Sequence, residues 1–145
     1  MTGRRWRSGV FSGFVAGLLL GFSLKVAQWL TGVGVYTLLL NIDFIPALPS
    51  FFSTESVQFL LHLLVSCVIG IIVSLFRFHF ATLKAIWPYV FSLIASLTYF
   101  PLLALAKHTI ITSQITAMIL WFTAHLLYAL LLHGCLWLCE RNKTI

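Results

Sequence analysis

The chain has 145 residues, 61% of them hydrophobic and only 8% charged, with a mean hydropathy of +1.05. A water-soluble domain carries roughly a quarter of its residues as charges, so this composition excludes one and makes lipid the expected solvent for most side chains. The net charge of +6 comes from basic residues scattered singly or in short groups between apolar runs. That pattern orients a membrane protein and lacks the basic-aromatic face of a nucleic-acid binder.

Four spans of about 20 residues would use over half the chain, so a single transmembrane domain, residues 1–145, is expected. Arg4, Arg5 and Arg7 precede the first apolar run as in a signal peptide, but no small-x-small cleavage site follows, and the segment reads as an uncleaved anchor.

The first span is expected over about 8–30. Within it Gly9, Gly13, Gly17 and Gly21 fall four apart, and Lys25 is the next step on the same line. Residues four apart share one helix face, so these glycines form a strip along which another backbone can approach, the small-xxx-small device of membrane helices. The apolar character continues to Leu40, but one helix over 8–40 would be about 50 Å long, too long for the bilayer core. Gly32 and Gly34 mark the break, and 35–40 reads as a short interfacial or re-entrant helical turn. A loop punctuated by Pro46 and Pro49 follows.

The second span is expected over about 54–76, with Ser53 or Thr54 as the capping hydroxyl and Glu55 in the first turn. His62, Ser66, Gly70 and Ser74 are again four apart. The last three make a second small-residue seam, a natural partner for the glycine strip.

After a basic connection at 77–86, the third span is expected over about 87–106. Trp87 sits at interface depth and Pro88 at the tolerated first helical position; Pro101 should kink the helix or end its regular part. The fourth span covers about 113–139.

The resulting architecture is all-α: an integral bundle of four transmembrane helices with a short interfacial segment between the first two. Lysine and arginine number three at the N-terminus, two at 77–86 and two at the C-terminus, against none at 31–53 and one at 107–112. Both termini are therefore expected in the cytoplasm.

The intramembrane polar candidates are Lys25, His62 and His125. Lys25 can snorkel to the headgroups or pair with Asp43 or Glu55 to close the outer mouth of the bundle. The histidines can hydrogen-bond across helices as neutral groups or mark a proton relay. Apart from Glu55 at the very start of the second, no acid lies inside any expected span, whereas most such relays use one. Their depths, about 10 Å and about 18 Å from the outer helix ends at 1.5 Å per residue, oppose a shared haem iron.

Cys67, Cys135 and Cys139 read as small apolar residues rather than a metal or redox set. No nucleophile–base set, zinc-protease motif or phosphate loop is present. No catalytic residue, metal or cofactor is therefore expected.

The run Gly13-Phe14-Val15-Ala16-Gly17 leading to Lys25, the His62 to Ser66 step, Trp87 after a basic connection, Phe100-Pro101-Leu102 and Ala124-His125-Leu126 occur in that order. In this the chain resembles the YagU-like small inner-membrane proteins and, more loosely through Trp87-Pro88, the YqhR-like four-span proteins. The resemblance covers 9–138. It implies a four-span protein of the bacterial cytoplasmic membrane from a family without an assigned biochemical activity. Where that family pattern has an acid one turn before the last histidine, this chain has Trp121.

Two functions are compatible with these features. One is a non-enzymatic packing, interaction or accessory protein that uses the glycine strip as its contact and has as partners membrane lipid and a second copy or another membrane protein. The alternative is a small oligomeric transporter or channel with Lys25, His62 and His125 along a polar path.

Overall fold

In a computed structural model, residues 2–42, 45, 49–106 and 113–141 are described. The helices are α1 (Thr2–Thr31), α2 (Val35–Leu39), α3 (Glu55–His79), α4 (Trp87–Ser96), α5 (Tyr99–Leu105) and α6 (Gln114–Arg141), with short 3-10 turns at Ser50–Ser53 and Ala81–Leu83. Among the described residues, four segments are long and apolar enough to cross a membrane: Arg5–Thr31, Glu55–His79, α4 and α5 together as Trp87–Leu105, and Gln114–Arg141. The protein is an all-α membrane bundle of four spans.

α1 begins at Thr2, ahead of the apolar run, because nothing in 2–7 breaks a helix. Its end is set by Gly32, whose φ of +70° puts it in the left-handed region. The Gly32 N–H returns to the Gln28 carbonyl at 2.8 Å, closing the last turn. The chain then folds back as α2. The N-terminal N–H groups of α2 are capped from outside: Gln28 Oε1 accepts from the N–H of Tyr36 and of Thr37, each at 2.9 Å. Val35 and Leu38 are fully buried, and α2 packs against α1, α5 and α6. It is therefore a plug over one end of the bundle.

α3 starts where expected, but Thr54 does not cap with its hydroxyl, which donates to the Phe51 carbonyl at 3.0 Å. The helix runs through Arg77 to His79, beyond the expected end near 76, so Arg77 belongs to a span and not to the basic connection. The third span is divided at Leu97 and Thr98. Pro101 has no N–H to give the Leu97 carbonyl, one turn back, and that carbonyl accepts from Phe100 at 3.4 Å instead. The break leaves the Ser96 carbonyl to the Trp121 indole N–H, at 2.9 Å.

α1 lies against both α3 and α6, and α6 packs also on α4. The buried face of α6 carries Ala117, Trp121, Ala124, Tyr128, Leu132 and Leu136. The opposite faces of the spans expose large apolar residues such as Phe22, Leu60, Ile94 and Ile119, as suits contact with lipid.

The α1–α3 contact is the closest in the bundle. A Cβ on Gly9 would stand 2.7 Å from the Ile71 Cα, and one on Gly13 2.9 Å from the Cys67 Cα. A Cβ on Gly17 would fall 2.6 Å from the Ser66 Cβ, and one on Gly70 2.8 Å from the Gly13 Cα. Ser74 Oγ extends the seam by donating to the Arg5 carbonyl at 3.2 Å. The strip thus joins two helices of one chain, so it is not the surface offered to a partner. From Gly17 onward the neighbours are side chains, Ser66 first and then the Phe59 ring at Gly21.

Gly13→Leu with Gly17→Leu should lower the thermal midpoint in detergent far more than Leu18→Ala with Leu19→Ala. Overpacking a tight contact costs about 1–3 kcal/mol or more per site, whereas Leu18 and Leu19 are partly exposed. Equal shifts in a detergent-solubilised melting assay would contradict the seam.

Candidate functional site

Among the described residues, three polar clusters lie along the bundle axis. At the end where α1 begins and α6 finishes, Arg77 is buried, its side chain 2% exposed, and Glu140 is 37% exposed. The guanidinium grips the carboxylate with two bonds, Nε to Oε1 at 3.0 Å and the second nitrogen to Oε2 at 2.9 Å. Its remaining arm donates to the Lys84 carbonyl at 2.8 Å. One side chain thereby ties the ends of α3 and α6 to the intervening connection, with the paired geometry that suits arginine. Nearby, the Arg5 guanidinium lies 3.1 Å from the Phe78 ring centroid, and Phe76, Trp87 and Phe91 form an edge-to-face aromatic cluster.

In the middle of the bundle, Ser66 Oγ donates to the Gly13 carbonyl at 2.7 Å and lies 3.1 Å from the Tyr128 hydroxyl. A serine has one proton, so the phenol supplies the donor for the second bond. α1, α3 and α6 meet at this hydroxyl. One turn along α3, His62 Nε2 bonds the Gly17 carbonyl at 3.1 Å. That carbonyl accepts, so Nε2 carries the hydrogen. On α6, His125 Nδ1 bonds the Trp121 carbonyl at 2.9 Å, its ring 4.7 Å from the Trp121 ring. The Ser92 hydroxyl donates to the His125 carbonyl and fastens α4 to α6.

At the α2 end, Lys25 Nζ donates to Glu55 Oε1 at 2.6 Å, and the Tyr36 hydroxyl donates to the same oxygen at 3.0 Å. The Lys25 and Glu55 side chains are 56% and 58% exposed, so this pair is open, not the buried lock that the sequence suggested as one possibility. Asp43, the other candidate partner, lies outside the described residues, as do Pro46, Lys107, His108 and Lys143. Burial, reinforced by the Glu55 carboxylate, pushes the Tyr36 phenol up to about 12, and Tyr36 stays a protonated donor at any physiological pH.

Of the sequence candidates, the structure brings Gly9, Gly13 and Gly17 together with Ser66 and Gly70, and places His62 on α3 and His125 on α6, two helices that both pack on α1. Lys25 is not with them. It stands two turns beyond Gly17 on α1, at the end of the bundle. The residues that sequence reasoning missed as a group are Arg77 with Glu140, Ser66 with Tyr128, and Gln28 as the cap of α2. The cysteines are free and partly buried. No group of three or more His, Cys, Asp or Glu side chains that could hold a metal ion occurs among the described residues.

No family model matches the chain, and no curated protein or solved structure matches it either. The fold and its polar clusters therefore define the class, a four-span membrane bundle, and assign no activity.

Glu140→Ala should destabilise the protein by about 3 kcal/mol, because it leaves the Arg77 charge buried without its counter-ion. Replacing both partners by apolar residues, as in Arg77→Met with Glu140→Leu, should cost less than the single change. Denaturation in mixed micelles reads both, and a larger loss for the double variant would refute the account.

Proposed function

We propose that the protein is a non-enzymatic interaction or accessory protein of the bacterial cytoplasmic membrane, with both termini in the cytoplasm. One observation supports this above the others: the polar side chains in the middle of the bundle direct their hydrogen bonds to the helices themselves. His62 is held on the Gly17 carbonyl, Ser66 on the Gly13 carbonyl, His125 on the Trp121 carbonyl and Trp121 on the Ser96 carbonyl. The bonds of His62, Ser66 and Trp121 join helices and fix their rotation, that of His125 stays within α6, and a group committed to such a bond is not poised to relay an ion or attack a substrate.

With the glycine strip covered by α3, the surface left for a partner, a second copy or another membrane protein, is the apolar exterior. The excess of lysine and arginine at the end shared by Arg5, Arg7, Arg77, Lys84 and Arg141 supports the orientation. The order of motifs in which the chain resembles the YagU-like proteins implies the four-span layout and the bacterial cytoplasmic membrane.

A second reading, a small oligomeric transporter or channel, has one observation in its favour. His62, Ser66, Tyr128 and His125 lie on the inner faces of α3 and α6, and the first two are one turn apart.

Proteoliposomes holding the full chain should show no proton or ion flux above protein-free vesicles, and reporters fused to the two ends should both read the cytoplasm. Flux that His62→Leu with His125→Leu abolishes would establish the transporter instead.

A further inference from the structure

Where the α1–α3 backbone seam gives way at Gly21, the Phe59 ring packs against the α1 backbone, and a groove of about 550 Å³ lies beside it, within the usual size of small-ligand sites. Its walls are apolar, with Leu18, Phe22 and Phe59 prominent. Leu18 and Phe22 are open to the surroundings, so a hydrocarbon chain can enter sideways from the bilayer. Its mouth is charged and carries Lys25, Glu55 and Tyr36. Glu55 is the first residue of α3. Lys25 lies six residues, about 9 Å, before the end of α1, and its contact with Glu55 sets its ammonium level with the start of α3. The mouth is therefore at the depth of lipid headgroups.

The hydrogen-bonding capacity at the mouth is only partly used. Both bonds to Glu55 fall on Oε1, and Oε2 accepts none from a described residue. An ammonium has three N–H donors; Lys25 gives one of them to Glu55 and stands 5.3 Å from the Tyr36 ring centroid, with no second hydrogen bond to a described residue. The site thus offers one anionic acceptor and two cationic donors side by side, above an apolar slot. A free anion would satisfy Lys25 and be repelled by Glu55; a free cation would do the reverse. A molecule with both charges close together and a hydrocarbon tail satisfies each.

We propose that this groove binds one glycerophospholipid with a zwitterionic, primary-amine headgroup. Its phosphate sits on Lys25, its ammonium donates to Glu55 Oε2, and an acyl chain lies along Leu18, Phe22 and Phe59. The primary amine matters because a quaternary ammonium has no N–H to give the carboxylate. This site is independent of the partner-binding reading above, since it concerns lipid held by a single chain.

Native mass spectrometry of the full chain, released from detergent with one added lipid at a time, tests it. Phosphatidylethanolamine should be retained as a single adduct about tenfold more strongly than phosphatidylcholine, the worth of one charge-assisted hydrogen bond. Glu55→Gln should bring phosphatidylethanolamine down to the phosphatidylcholine level. Leu18→Trp, which fills the slot, should weaken both lipids. The wild-type comparison needs no variant to fold. Equal retention of the two lipids would overturn the proposal, as would stronger retention of phosphatidylglycerol than of phosphatidylethanolamine, which would mean an anionic-lipid site on Lys25 alone. A dimer lost on Leu18→Trp would overturn it too, by making a second copy the occupant.

Discussion

The bundle depends on how closely α1 and α3 can approach. In lipid there is no hydrophobic gain from bringing two apolar helices together, because the tails are as apolar as the side chains. What holds them is close packing and the polar bonds that closeness allows. Gly9, Gly13 and Gly17 remove the side chains from one helix, and Ser66 and Gly70 nearly remove them from the other. Only at that separation can Ser66 reach the Gly13 carbonyl and His62 the Gly17 carbonyl. The glycines permit the approach, and the serine and histidine convert it into a fixed register.

The polar groups of the bundle are graded by position along its axis. In the middle, His62, Ser66, Trp121 and His125 are bonded to backbone carbonyls. At the end that holds the termini, a buried arginine is matched by a carboxylate in paired geometry and by a carbonyl on its third arm. At the opposite end, the Lys25–Glu55 pair is exposed at the mouth of a groove. An arginine is suited to the buried position because its fork satisfies several acceptors at once. A lysine is suited to the open one because its compact charge keeps donors to spare. The two ion pairs thus have different uses, one as a clamp and the other as an unfinished site.

Much of the architecture was legible in the chain. The spacing of the glycines pointed to a seam, the spacing of Ser66, Gly70 and Ser74 gave its match, and Gly32 and Pro101 marked the two interruptions. These are local rules of backbone geometry, and they act the same way in any context. The misjudged boundaries have one cause: Arg77 and Thr2 lie outside the apolar runs but inside the helices, because a helix ends where its hydrogen bonding fails and not where its hydropathy falls. Lys25 was correctly offered Glu55 as a partner. Grouping it with His62 and His125 ignored the rise of the helix between them.

What the sequence by itself determined was the solvent, the number of spans and the stripes of small residues, since each follows from composition or from periodicity along one helix. What only the tertiary structure decided was which groups meet across helices. The amide of Gln28 caps α2, the hydroxyls of Ser66 and Tyr128 share a bond, Arg77 closes on Glu140, and the Phe59 ring packs on Gly21. Each of these depends on the rotation and axial offset of one helix against another. A periodic pattern leaves those two quantities free until side chains from both helices are packed together.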